Sequence, residues 1–305
     1  MTHLSITKNK LLFMSIGVII CFLIGFIFYN KPNEAVETQH VSIQAHDTKR
    51  FFDKYLFQKG IIESEQKHEG SYKIKGKILG AIVPHHQIPS FIIADIFERL
   101  AAQDVKTIIL LSPNHYDIGV TSILTSELNW DTPQGTVLSD GGIIRNLLQK
   151  DYISVDEDIM DNEHGIAGLL PFIKYYNDST KIVPLILRQS MTREQIDDLS
   201  KTIARRVDAN TVVVASVDFS HYLISEEAEK NDKEIKKAME NNEINKILNM
   251  NSDYLDSPEA IAILLQSMNH VGANSMNILH NTNSAKLMDK SYGETTSYFG
   301  VVFTE

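Results

Sequence analysis

Residues 77–86 read KILGAIVPHH, an apolar run broken by a proline and then by two histidines. Lys77 to Val83 is too short for an ordinary helix, so it reads as a buried strand ending at Pro84. The same grammar recurs further along. Thr107 to Leu111, TIILL, is a second buried strand, stopped by Ser112-Pro113. Lys181 to Leu187, Thr211 to Ala215 (TVVVA) and Tyr298 to Phe303 are further strands. Between them, apolar residues fall at helical spacing over Ser90 to Ala102, Gly142 to Gln149 and Ile166 to Tyr176. Thr192 opens a helix running to about Val207, with Gln195 placed for a capping box. Glu226 to Asn241 and Pro258 to Val271 complete the helices, the second with its proline in the first turn. Continuous β-branched strands alternating with helices predict an α/β fold: a mostly parallel sheet with helices on both faces.

The chain has 305 residues and a formal net charge of -10, which argues against nucleic acid as a partner. Leu11 to Tyr29 is an uncharged apolar run, long enough to predict one N-terminal transmembrane helix. Lys8 and Lys10 precede it, so residues 1–10 are expected in the cytoplasm, with a single pass through the membrane and the C-terminal domain extracytoplasmic. Residues 30–50 read as a linker and 51–305 as one α/β domain. Cys21, the single cysteine, lies in the apolar run, so a metal would have to be held by nitrogen and oxygen.

The histidines fall where strands end. His85 and His86 follow the first strand, His115 follows the second in SPNH, and Asp218 and His221 follow a later one in SVDFSH. In open α/β sheets the carboxyl ends of the strands face one crevice. His164, in DNEHGI, and Asp256, in YLDSPEAI, are further candidates at helix starts. Imidazole nitrogen and carboxylate oxygen suit Fe(II), Zn(II), Mn(II) or Cu(II). Each residue also has a plainer role: Asp256 could be a helix cap, Asp218 a turn residue, and the prolines simple strand stops. Trp130 to Pro133 reads as a surface turn. His3, His40, His46, His68, His270 and His280 have no motif around them.

VPHH, LLSPNH, DEDIMDNEHGIAGLLPF, KIVPLIL, VVVASVDFSHY and TTSYFGVVF occur in an order that resembles the Memo family (AmmeMemoRadiSam system protein B). The resemblance covers Lys77 to the C-terminus. It implies a fold like the catalytic subunit of class III extradiol dioxygenases and one metal on His85, His115 and a cysteine position that falls on Asp256. A carboxylate there makes a two-His, one-carboxylate set and favours Fe(II). The family's second histidine in the EHGIAGLLP stretch is Leu169 here, so only His164 carries over.

The expected function is that of a membrane-anchored, dioxygenase-like oxidoreductase acting on a small molecule. In it His221 would be the general acid or base, Asp218 would orient an imidazole, and His164 would bond substrate. A ligand- or partner-binding protein with a structural metal is the alternative, and a metallohydrolase is a third reading. A functional link to a radical-SAM system is implied by the family alone.

Overall fold

The computed structural model describes residues 45–68, 74–290 and 293–305. Three short strands, β1 (Ala45–Asp47), β5 (Asn129–Thr132) and β6 (Gly135–Val137), form a small sheet. The main sheet contains β2 (Ile78–Val83), β3 (Thr107–Pro113), β4 (Ile123–Thr125), β7 (Ile153–Val155), β8 (Lys181–Leu187), β9 (Thr211–Ser216), β10 (Phe219–Leu223), β11 (Ser275–Asn283) and β12 (Thr295–Thr304). Its order is β10-β12-β2-β9-β3-β8-β4-β7, with β11 also paired to β12.

The centre, β2-β9-β3-β8, is parallel, and its strands are buried on both faces. Alternate residues show this directly. Ile109, Leu111 and Val213 enter one apolar cluster, while Ile108, Leu110, Val212 and Val214 enter the other. Helices α1 (Lys54–His68), α2 (Ser90–Ala102), α3 (His164–Ala167) and α4 (Leu170–Tyr176) cover one face. Helices α5 (Arg193–Ala204), α6 (Ser225–Glu240) and α7 (Pro258–Val271) cover the other.

Two expectations about the fold class are corrected. The sheet is mixed rather than mostly parallel, because β12 runs antiparallel to β2, β10 and β11, and β4 antiparallel to β8. The sequence hid β11, SMNILHNTN, because an antiparallel edge strand with a half-exposed face carries no continuous apolar run. The second correction concerns the membrane. A span needs about 20 apolar residues, whereas α6, the longest described helix, has 16 residues and is rich in charge. Among the described residues no helix is long and apolar enough to cross a membrane. Residues 11–29, on which the expected anchor fell, lie outside the described residues, and the single-pass, extracytoplasmic placement falls with it.

Local departures have physical causes. The helix expected over Ile166 to Tyr176 is broken at Gly168-Leu169, and Pro171 opens the second piece. Trp130 is fully buried in β5 rather than on a surface turn, and its ring lies 4.2 Å from that of His46. His46 is itself buried, with Nδ1 3.1 Å from Asp161 and Nε2 2.9 Å from Glu157. His280 pairs with buried Asp95 at 2.7 Å. His3 and His40 lie outside the described residues.

Candidate metal centre

Parallel strands point their carboxyl ends the same way, so the loops after β2, β3 and β9 meet at one edge of the sheet. The β2 loop carries His85, His86 and Gln87, and β3 leads to His115. Asp218 lies between β9 and β10, and His221 is on β10. His164 begins α3, whose cap is Glu163: its carboxylate accepts from the Gly165 N–H at 2.9 Å. Asp256 lies just before α7, but Ser257 caps that helix. Asp256 is instead knitted to Asp218. Its N–H donates to the Asp218 carbonyl at 3.1 Å, and its Oδ2 accepts the Asp218 N–H at 3.2 Å.

One ligand atom from each of His85, His115 and His164 lies within 4.8 Å of the others, so the three could hold a metal ion. The hydrogen bonds around them fix where the protons sit. Ser216 Oγ donates its one proton to the Gly165 carbonyl at 2.6 Å. It can therefore only accept from His85 Nδ1, 3.1 Å away, which puts the ring proton on Nδ1. Glu163 accepts from His115 Nδ1 at 2.6 Å and from the His115 N–H at 3.1 Å. Both Nε2 atoms are thus left with lone pairs, and they face each other at 3.2 Å. Two lone pairs at that distance could share a metal ion. Nitrogens about 2.1 Å from a shared ion would lie about 3.0–3.4 Å apart.

Burial sets the charge of the groups around this point. His85 is held well below its ordinary pKa by burial and by the neighbouring histidines His115 and His164. Burial, with His115 beside it, takes His164 down to about 4, and His221 is lowered to about 4 in the same way. At neutral pH these imidazoles are unprotonated. Burial pushes Asp218 up to about 7, and it raises Asp256 well above the carboxylate range with help from the Asp218 charge. Burial alone would raise Glu163, but the hydrogen bonds from His115 and Gly165 hold it below its ordinary value.

Asp256 sits at the side of the three-histidine group. Its Oδ2 is 3.3 Å from His85 Nε2, and its Oδ1 is buried without a hydrogen-bond partner. Asp218 Oδ2 is 3.8 Å from His85 Nε2, and Asp218 Oδ1 accepts the His85 N–H at 3.1 Å. The donor set fits a divalent metal: three imidazoles converge, and a carboxylate with an idle oxygen lies beside them. A cavity of about 550 Å³ opens onto this edge, and His85, His115, His164, Asp218 and His221 all line it.

Glu163 and Ser216 set the tautomers, yet the sequence did not single them out. Glu163 adjoins His164 and had the look of an ordinary helix start. Replacing it should expose its role. Glu163→Gln puts an amide where three N–H groups now converge on a carboxylate, so His115 loses its orientation. Metal affinity measured by chelator competition should fall about 10–100-fold; an unchanged affinity would show that Glu163 does not orient His115.

Comparison with known proteins gives a consistent picture. Residues 53–302 match a family model described as Memo-like protein. The chain is 31% identical over 164 residues to the MEMO1 family protein MK0963 of Methanopyrus kandleri, covering 51% of this chain and 58% of that one. It is 27% identical over 263 residues to the MEMO1 family protein MmarC5_0191 of Methanococcus maripaludis, covering 81% and 90%. The chain spans less than two thirds of the length of the first of these relatives. Among solved structures it is similar to that of an uncharacterized protein, JW3007, from Escherichia coli K12. The TM-score is 0.50 at 14% identity, covering 73% of this chain and 99% of that one, a likeness of fold alone.

Proposed function

Because the chain belongs to the Memo-like family, we propose that it is a metalloenzyme that carries out redox chemistry on a small molecule at one nonheme metal ion, with Fe(II) favoured. The observation that supports this most is the pair of facing lone pairs on His85 and His115, 3.2 Å apart. His85, His115 and His164 would hold the ion, with Asp256 close enough to add an oxygen. A divalent iron with open positions would supply a place for substrate and dioxygen to meet and exchange electrons.

The chain's own residues do the rest. Ser216 and Glu163 keep the two Nε2 lone pairs on the metal side. His221, neutral at pH 7, offers the cavity an imidazole that can take a proton from substrate. Asp218 holds the His85 backbone and keeps a carboxyl group beside the ring. The functional link to a radical-SAM system belongs to this proposal by family association only.

One observation favours a second reading. The converging group is three imidazoles, the donor set of a zinc centre that activates water. Metal content as isolated separates the two, followed by oxygen uptake after anaerobic loading with Fe(II) and addition of a catechol probe. Oxygen consumption above that of the metal-free protein is expected. A full complement of zinc and no oxygen uptake would overturn the redox reading, and binding of the probe without turnover would favour a ligand-binding protein.

A further inference from the structure

A second cavity, of about 330 Å³, shares none of its lining residues with the one beside the metal centre. Small-molecule sites run from about 300 to 1,000 Å³, so it is large enough for a small ligand. Leu248, Met250, Leu255 and Pro258 make part of its wall apolar, and Asp256 and Glu259 add two carboxyl groups. Exposed Gln189 and Asn251 join it to the surface.

Glu259 is the residue that folding alone does not explain. It lines the cavity and is only 7% exposed. No other residue forms a hydrogen bond or an ion pair with its carboxyl group; its own backbone N–H is what approaches it. Buried glutamates are almost always paired, because a carboxylate away from both water and a cation is costly. Glu259 does stand in the first turn of α7, where the helix offers about half a positive charge. Ser257 already caps that helix, however, accepting the Ala260 N–H at 3.3 Å. Burial, with the Asp117 charge nearby, still pushes Glu259 above the ordinary carboxylate value, so the helix does not meet its need.

The protein supplies no cation in its place. Among the described residues lining the cavity there is no lysine, arginine or histidine. Arg188, next to Gln189, is engaged elsewhere: Nε donates to the Asp117 carbonyl at 3.1 Å, and the guanidinium donates to the Gly119 carbonyl at 3.0 Å. The wall then decides which kind of cation fits. A hard metal ion takes about six or more oxygens, and much of this lining has none to give. An ammonium group on an alkyl stem uses both halves of the cavity. Its head meets a carboxylate, and its stem lies along Leu248, Met250 and Leu255.

We propose that this cavity is a binding site for a primary alkylammonium ion, with Glu259 receiving the head group. The site does not depend on the metal reading. It adjoins the metal centre all the same, because Asp256 lines it and also lies 3.3 Å from His85 Nε2.

The test is calorimetry on the full-length protein at pH 7, with butylammonium, butanol and calcium as probes. Butylammonium should bind saturably, at least about tenfold more tightly than butanol, which has the same stem without the charge. Glu259→Gln keeps the shape and should remove most of that preference. Met250→Lys brings a tethered ammonium to the wall and should weaken butylammonium about tenfold while leaving Glu259 in place. If one variant does not fold, the other and the butanol comparison decide the matter. Equal binding of butylammonium and butanol would overturn the proposal, and so would a butylammonium affinity unchanged in the folded variants. Calcium that displaces the amine and is itself lost in Glu259→Gln would make this a metal site and overturn it as well.

Discussion

His85→Ala is expected to leave the protein essentially without metal. Losing an outer partner of a ligand typically costs 10–100-fold in affinity, so losing a ligand that faces another at 3.2 Å should cost more than about 100-fold. Elemental analysis after exposure to a competing chelator reads this directly. The fold should persist, because His85 sits on a loop beyond β2 and not within either apolar cluster. His221→Ala removes an imidazole from the cavity but none from the converging group, so it should keep its metal. The same assay on His164→Ala and Asp256→Asn tells whether a nitrogen or an oxygen completes the set. Full metal occupancy in His85→Ala would end the proposal, whatever the other variants did.

Gly165→Ala should do comparable damage without touching a ligand. A Cβ at Gly165 would lie 2.1 Å from Ser112 Oγ and 3.3 Å from the His115 ring. Ser112 is fully buried, so something in this corner must move. Overpacking of this kind typically costs about 1–3 kcal/mol, or several degrees of Tm at roughly 2–4 °C per kcal/mol in a domain of this size. The shift also displaces Glu163, which is bonded to Gly165 N–H and His115 alike, so metal affinity should fall about tenfold or more. Adding Ser112→Ala removes the closest clashing atom and should restore most of both losses. An unchanged Tm and affinity in Gly165→Ala would show that the corner is looser than its geometry implies.

The parts of this molecule that were legible in its sequence are those written locally. Apolar runs of strand length placed β2, β3, β8 and β9, and so the edge at which His85 and His115 meet. What could not be read there depends on partners far away in the chain. Ser216 and Gly165 fix the tautomer of His85, and Glu163 fixes that of His115, through contacts with no sequence signature. Asp256 looked like a helix cap or a ligand in equal measure, and only the cap on Ser257 and the bonds to Asp218 show what holds it in place. His46 had no motif because its carboxylate partners, Glu157 and Asp161, follow more than a hundred residues later. The direction of β12 was hidden for the same reason. A run such as YFGVV has the composition of a buried strand in either direction, and its neighbours alone decide the direction.

The placement of β12 has a consequence for the life of the chain. Val301 lies opposite Ile82, so the strand that completes the neighbourhood of β2 is synthesised long after β2 has left the ribosome. In that interval one flank of β2 has no hydrogen-bonding neighbour, and a nascent chain with an open flank can recruit a strand from another molecule. Until β12 arrives, the newborn chain therefore keeps an open strand flank next to the loop that carries His85 and His86, and that flank is a place for a chaperone to shield.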